Sequence, residues 1–118
     1  MRAEALKGHL DALLLATLSA GPRHGYAVME ALRAGSSGTF DLPTGTVYPA
    51  LRRLERAGLV HSDWSTVAGR ARRTYELTAA GRRALGEAQS QWREFAAAVS
   101  GVLNGAIGDR GELWPVTS

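Results

Sequence analysis

The chain has 118 residues, of which 45% are hydrophobic and 21% charged. This balance is typical of a globular domain, so disorder is not the default expectation. The absence of cysteine excludes disulfide frameworks and thiolate metal sites. The net charge is +3, but residues 52–83 alone hold eight arginines against three acids. Such a local basic excess indicates a polyanionic partner, although a solvated arginine face would give the same pattern.

The N-terminal third predicts two helices. Leucines recur at helical spacing over residues 5–19, and Gly21-Pro22 ends that helix. A second helix is expected over residues 26–34, with Tyr26, Met29 and Leu32 facing inward and His24 as a cap or turn residue at its start.

Nothing in this third predicts a membrane span or a leader. The longest apolar run, residues 12–16, is too short to cross a bilayer. Glu4, His9 and Asp11 would interrupt the apolar region of a signal peptide. A cytoplasmic location is therefore expected.

The stretch "GTVYPALRRLERAGLV", residues 45–60, predicts a third helix that ends at Gly58. Its apolar stripe consists of Val47, Leu51 and Leu54. Pro49 fits if Thr46 is the N-cap, because the proline is then the third helical residue and its missing N–H costs little. If Thr44 is the N-cap, Pro49 is the fifth residue and should bend the start. The sequence leaves both caps open.

Beyond Gly58 the period of the apolar residues changes from helical to alternating. Residues 60–64 and 74–77 predict two strands, joined by a basic turn over residues 65–72 around Gly69. Thr78 is a suitable N-cap for a fourth helix over residues 79–104, which would be on the order of 40 Å long.

Three helices followed by a hairpin predict a mainly α fold with a small β-hairpin, a winged helix-turn-helix, plus a long C-terminal dimerisation helix. The expected divisions are a DNA-binding domain at 1–78, the dimerisation helix at 79–104 and a flexible tail at 105–118.

In a winged helix-turn-helix the second helix of the motif enters the DNA major groove, and arginine suits both phosphates and guanine edges. The arginines of the third helix lie off its apolar stripe, and those of the hairpin can reach flanking DNA. For Tyr48, half-buried packing remains an alternative to contact. The predicted DNA-binding residues are Thr46, Tyr48, Arg52, Arg53, Arg56, Arg70, Arg72 and Arg73.

The fourth helix carries apolar residues at a and d heptad positions, which predicts a homodimer seam and a palindromic DNA site. Packing against the first helix of the same chain is the alternative. The predicted seam consists of Leu85, Ala88, Trp92, Phe95, Val99 and Val102. Trp92 is large beside two alanines, and the gap could hold a planar ligand. The predicted effector pocket consists of Trp92, Ala88, Phe95, Ala96 and Leu14.

Other classes of function find less support. The sequence contains no paired carboxylates, phosphate-binding glycine loop or serine–histidine–aspartate arrangement, so an enzyme is not expected. His9, His24 and His61 lack the spacing of metal ligands, and neither a metal nor another cofactor is predicted. A protein-interaction module that uses the heptad helix, without an effector, is the alternative function.

Taken together, the motifs resemble the PadR family of transcriptional regulators over residues 6–103. The resemblance rests on "LDALLLATL", "GPRHGYAV", "GTVYPALRRLERAGLV" and "RRTYELTAAG". It implies a dimeric DNA-binding regulator, usually a repressor, which small aromatic molecules release from DNA. Trp92, eleven residues after Gly81, matches the tryptophan that stacks on planar ligands in drug-binding members. Pro43-Thr44 departs from the Ser-Pro common in the family, and the C-terminal tail has no counterpart there.

Overall fold

The structure is a computed structural model that describes residue 6 and residues 8–107, with side chains to residue 105. In chain order the elements are α1 (Leu10–Thr17), β1 (Arg23–His24), α2 (Gly25–Gly35), α3 (Thr44–Arg56), β2 (Val60–Val67), β3 (Arg70–Leu77) and α4 (Ala79–Ile107). This order confirms the predicted mainly helical fold with a hairpin and a long last helix.

Two compact units divide the chain, Met1–Gly86 and Glu87–Ser118. The first unit therefore extends past the predicted boundary at residue 78 and includes the first turns of α4. Helix α4 also ends later than predicted, at Ile107 instead of residue 104. The rest of the predicted tail, from residue 108, lies outside the described residues.

The core of the first unit is built from one face of each helix and the inner face of the sheet. On α3 the predicted stripe is confirmed, since Val47, Leu51 and Leu54 are all buried. On α2 the buried positions are Gly25, Val28 and Leu32, so the prediction that Tyr26 faces inward was wrong. The helix begins one residue earlier than expected, and its buried stripe runs through Val28. The tyrosine is 56% exposed.

Helix α3 begins differently from both predicted alternatives. The N-cap is Pro43, whose backbone is extended and which has no N–H to satisfy. Its carbonyl accepts hydrogen bonds from Thr46 N–H (3.0 Å) and Val47 N–H (3.1 Å). Neither Thr44 nor Thr46 is the cap. Pro49 is consequently the sixth residue of α3, and the proline leaves the carbonyl of the exposed Gly45 without its helical donor.

The junction after α3 confirms two sequence predictions. Gly58 has φ +79°, its N–H donates to Glu55 O, and Leu59 N–H donates to Leu54 O, which completes a Schellman motif. Thr78 caps α4, since Gly81 N–H donates to Thr78 Oγ1 at 3.0 Å.

The sheet is longer than the sequence indicated. Strands β2 and β3 pair from Val60↔Leu77 to Val67↔Arg70, so most of the predicted basic turn is strand. Only Ala68 and Gly69 form the turn, and both have positive φ, as in a type I′ hairpin. The two-residue strand β1 pairs with the other edge of β3 and was not predicted, because two residues carry no periodicity.

The second unit contains the C-terminal part of α4, which exposes large apolar side chains. Trp92, Phe95, Val99 and Val102 are 37–73% exposed and step along the helix at heptad spacing. Within the described part of the chain, no helix is both long and apolar enough to span a membrane.

Candidate nucleic-acid interface

The arginines of α3 point away from the core, but they have different partners. Arg53 forms an ion pair with Asp11 of α1. Both side chains are about half exposed, so the pair contributes at most about 1 kcal/mol and mainly orients the guanidinium. Among the described residues no ion pair involves Arg52 or Arg56, which are exposed. These two guanidinium groups can therefore bind an external anion without breaking an ion pair within the described chain.

A polar network joins α3 to the hairpin. Ser62, the buried polar residue of β2, donates to Glu55 Oε2 (2.6 Å) and accepts from Arg73 Nε (2.8 Å). The Arg73 guanidinium lies 3.6 Å from Glu55 and 5.6 Å from the centre of the Trp64 ring. Arg73 therefore lies within the hairpin and not at its tip, where the sequence had placed it. Its charge is already balanced by Glu55.

The other two hairpin arginines differ in burial. Arg70 is exposed at the start of β3, next to the turn, as predicted. Arg72 is partly buried: its Nη1 lies 3.3 Å from Nδ1 and 3.2 Å from Nε2 of His24. His24 confirms its predicted role as the N-cap of α2, because its Nδ1 accepts from Ala27 N–H.

An open cleft of about 360 Å³ lies between the start of α2, α3 and β3, and we call it the α2–α3–β3 cleft. Sequence reasoning had assigned several of its residues separately and had not predicted that they meet. The "HGY" motif, residues 24–26, was the available indication, since it brings an imidazole and a phenol to the start of one helix. The lining residues are His24, Gly25, Tyr26, Tyr48, Arg52, Trp64, Ala71, Arg72, Arg73 and Tyr75.

The two predicted polar contacts at the start of α3, Thr46 and Tyr48, are both half-buried. The Tyr48 ring packs so closely on Gly25 that a Cβ there would lie 2.4 Å from Tyr48 Cε1. This contact favours the packing alternative for the ring, which also borders the cleft.

Tyr75, on the floor of the cleft, is buried, and burial raises the pKa of its phenol above the usual 10.0, while the positive charge of Arg73 opposes the shift. The hydroxyl is therefore neutral at pH 7. Because the fold favours the neutral phenol, its contribution to the free energy of unfolding is complete below pH 10.0. That contribution is lost as the pH rises above 10.0 and through the folded-state pKa.

The structure removes two residues from the predicted seam and effector pocket. Leu14 is 0% exposed and packs in the core of the first unit, so the proposed pocket does not include it. Leu85 is 7% exposed and packs in the same core. This position therefore follows the alternative prediction, in which part of the apolar stripe packs within its own chain. In the second unit, Trp92 and Phe95 have ring centroids 6.0 Å apart at 41°, which forms an apolar pair.

The three histidines are not assembled into a site. His24 caps α2, whereas His61 lies 3.0 Å from Asp63 on the exposed side of the hairpin, with Glu76 nearby. Exposed groups of this kind are common on protein surfaces without an ion.

Comparison with known proteins agrees with this fold. The sequence profile of the Transcriptional regulator PadR-like family matches residues 14–87. Transcriptional regulator Rv3488 of Mycobacterium tuberculosis is 43% identical over 79 residues, covering 67% of this chain, and the match spans only 61% of that relative's length.

Two solved structures are similar over most of the chain. The PadR family transcriptional regulator from Eggerthella lenta has a TM-score of 0.73 and 33% identity, over 85% of this chain and 86% of its own. A PadR family transcription regulator from Clostridium difficile has a TM-score of 0.72 and 28% identity, over 81% and 99%. These relatives are transcriptional regulators and not enzymes. The chain belongs to the PadR-like family of transcriptional regulators.

Proposed function

We propose that this regulator binds a palindromic operator in double-stranded DNA as a homodimer and acts as a repressor. In each protomer, α3 would enter the major groove and the tip of the β2–β3 hairpin, with Arg70, would contact flanking phosphate. The observation that carries the proposal is the exposed position of Arg52 and Arg56 on α3, where the described residues provide no internal ion pair for either. The polar network of Ser62, Glu55 and Arg73 supports it, because it fixes the hairpin to α3.

Replacing Arg52 with alanine tests the placement of α3. Operator DNA is first selected from random sequences with the wild-type protein, and binding is then measured by fluorescence anisotropy over a series of salt concentrations. We expect Arg52→Ala to weaken binding by roughly 1–3 kcal/mol, and to reduce the salt slope by about 0.9 if the lost contact is to phosphate.

The matched control is Arg33→Ala, which removes the same charge from the last turn of α2 instead of from α3. Arg33 is exposed and paired only with Glu30, so its loss should leave operator affinity nearly unchanged. Equal losses in the two variants would mean that α3 is not the element that reads DNA.

Release by a planar aromatic effector is the finer part of the proposal. The exposed Trp92 and the neighbouring Phe95 ring support it, with the half-buried Ala88 and Ala96 on the same part of the helix. Candidate aromatic ligands should quench tryptophan fluorescence, and Trp92→Ala should remove most of that quenching. A response of the same size in Trp92→Ala would place the ligand elsewhere, at Trp64 or Trp114.

The alternative function, a protein-interaction module, uses the same apolar residues of α4 for a different partner. Light scattering separates the two: a stable homodimer favours the regulator, and a monomer favours the module.

A further inference from the structure

The α2–α3–β3 cleft contains a cationic group whose hydrogen-bonding capacity is not used. Arg72 Nε is buried and has no hydrogen-bond partner among the described residues, while Nη1 of the same guanidinium contacts the His24 ring. Buried donors nearly always have an acceptor, so an unsatisfied one in a cleft indicates a group that the structure does not contain. An acceptor bound in the cleft beside this guanidinium would complete its hydrogen bonding.

The charge of the cleft indicates that this acceptor is an anion. Three arginines line it and no acid does. Glu55 balances Arg73, which leaves Arg52 of α3 and Arg72 of β3 without an ion pair among the described residues. The first residues of α2, Gly25 and Tyr26, form another part of the wall, and the start of a helix carries partial positive charge. Several donors converging on one space suit the oxygens of a phosphate group.

The aromatic residues and the size of the cleft indicate what carries the phosphate. A volume of about 360 Å³ exceeds what a bare phosphate ion needs. Tyr26 and Trp64 border the cleft and are 56% and 67% exposed, so each ring can contact a bound molecule, although the Arg73 guanidinium lies over the Trp64 ring. Positive charge that follows the phosphates and aromatic side chains that stack on the bases are the combination by which proteins bind single-stranded nucleic acid, one nucleotide unit after another.

We infer that the α2–α3–β3 cleft binds the phosphate of a nucleotide unit, with Arg72 and Arg52 holding the phosphate oxygens and the rings of Tyr26 and Trp64 contacting the sugar or base. The nucleotide unit has two sources. One is the operator backbone, and that part rests on the proposed function. The other is a free nucleotide, which would then compete with DNA for each protomer separately, away from the apolar residues of α4.

The test measures the fluorescence emission of Trp64, which borders the cleft, in the full-length chain without DNA. Trp92→Phe and Trp114→Phe leave Trp64 as the single tryptophan of the three in the sequence. Adenosine monophosphate is expected to change Trp64 emission with saturation, whereas adenosine, which lacks the phosphate, should have little effect. Arg72→Gln should raise the apparent Kd for the nucleotide at least tenfold.

Arg83→Gln is the matched control, because it removes the same charge from an exposed position that lines no part of the cleft and is not a proposed DNA contact. It should leave the response to the nucleotide unchanged. Circular dichroism tests whether the Arg72→Gln chain is folded. If it is not, Arg52→Gln, which changes the lining arginine of α3, replaces it with the same expectation.

Operator binding by Arg72→Gln distinguishes the two sources. A nucleotide response that depends on Arg72, together with displacement of the operator by the nucleotide, supports a cleft that accepts both. No nucleotide response, but a salt slope for operator binding reduced by about 0.9 in Arg72→Gln, supports the backbone phosphate alone. If Arg72→Gln changes neither binding event while Arg52→Ala still weakens operator binding, the inference about the cleft is overturned and the proposed function stands.

Discussion

A chain that carries both Phe95→Glu and Val102→Glu is expected to be a monomer, and to bind the operator at least about 100-fold more weakly than the wild type. Both residues are exposed on the described chain and lie on one side of α4 with Trp92 and Val99. Four carboxylates in one symmetric seam would have to be buried without partners, which opposes association. A monomer then loses the second half-site, and with it the gain from binding two sites at once.

Light scattering measures the mass of the variant in solution, and fluorescence anisotropy measures its affinity for the operator. The control is Ser90→Glu with Ala97→Glu, which adds the same charge to exposed positions on the opposite side of the same helix. The control should remain a dimer. If the Phe95 and Val102 variant also remains a dimer, the apolar residues of α4 are not the seam.

Replacing Gly81 with alanine is expected to lower the free energy of unfolding by roughly 3 kcal/mol. Gly81 is buried at the third position of α4, where an added Cβ would lie 1.9 Å from the carbonyl oxygen of Leu59. That oxygen belongs to the backbone and accepts Thr78 N–H, so it cannot rotate away as a flexible side chain could. Alanine's better helix propensity recovers only about 1 kcal/mol.

Gly86→Ala is the matched control in the same helix, because Gly86 is exposed and a Cβ there meets nothing within 4 Å. It should raise stability by up to about 1 kcal/mol. Denaturant unfolding followed by circular dichroism measures both variants. Similar midpoints for the two would show that the Leu59 carbonyl does not restrict the residue at position 81.

The helices were predictable because their patterns are long and their ends carry specific residues. The buried stripe of α3, the left-handed Gly58 and the Thr78 cap all follow from local chemistry that a sequence displays. The start of α3 was not predictable in the same way. Pro43 caps it through its backbone alone, whereas the sequence rules favour threonine side chains.

The interface could be predicted in composition but not in arrangement. The arginines were found because charge is visible in a sequence, yet their partners lie far apart along the chain: Asp11 for Arg53, Glu55 for Arg73 and His24 for Arg72. Only the folded chain separates arginines that have an internal partner from those that do not. Strand β1 brings His24 to the edge of β3, and nothing in a two-residue segment indicates that pairing.

The junction between α3 and α4 has a mechanical consequence. Thr78 Oγ1 donates to Gly58 O at 2.6 Å, Thr78 N–H donates to Leu59 O, and Gly81 packs against that same carbonyl. Two hydrogen bonds and one close backbone contact thus join the residues that end α3 to the start of α4. We expect a rotation of the first turn of α4 to be transmitted to the residues that end α3, because backbone atoms and hydrogen bonds join the two.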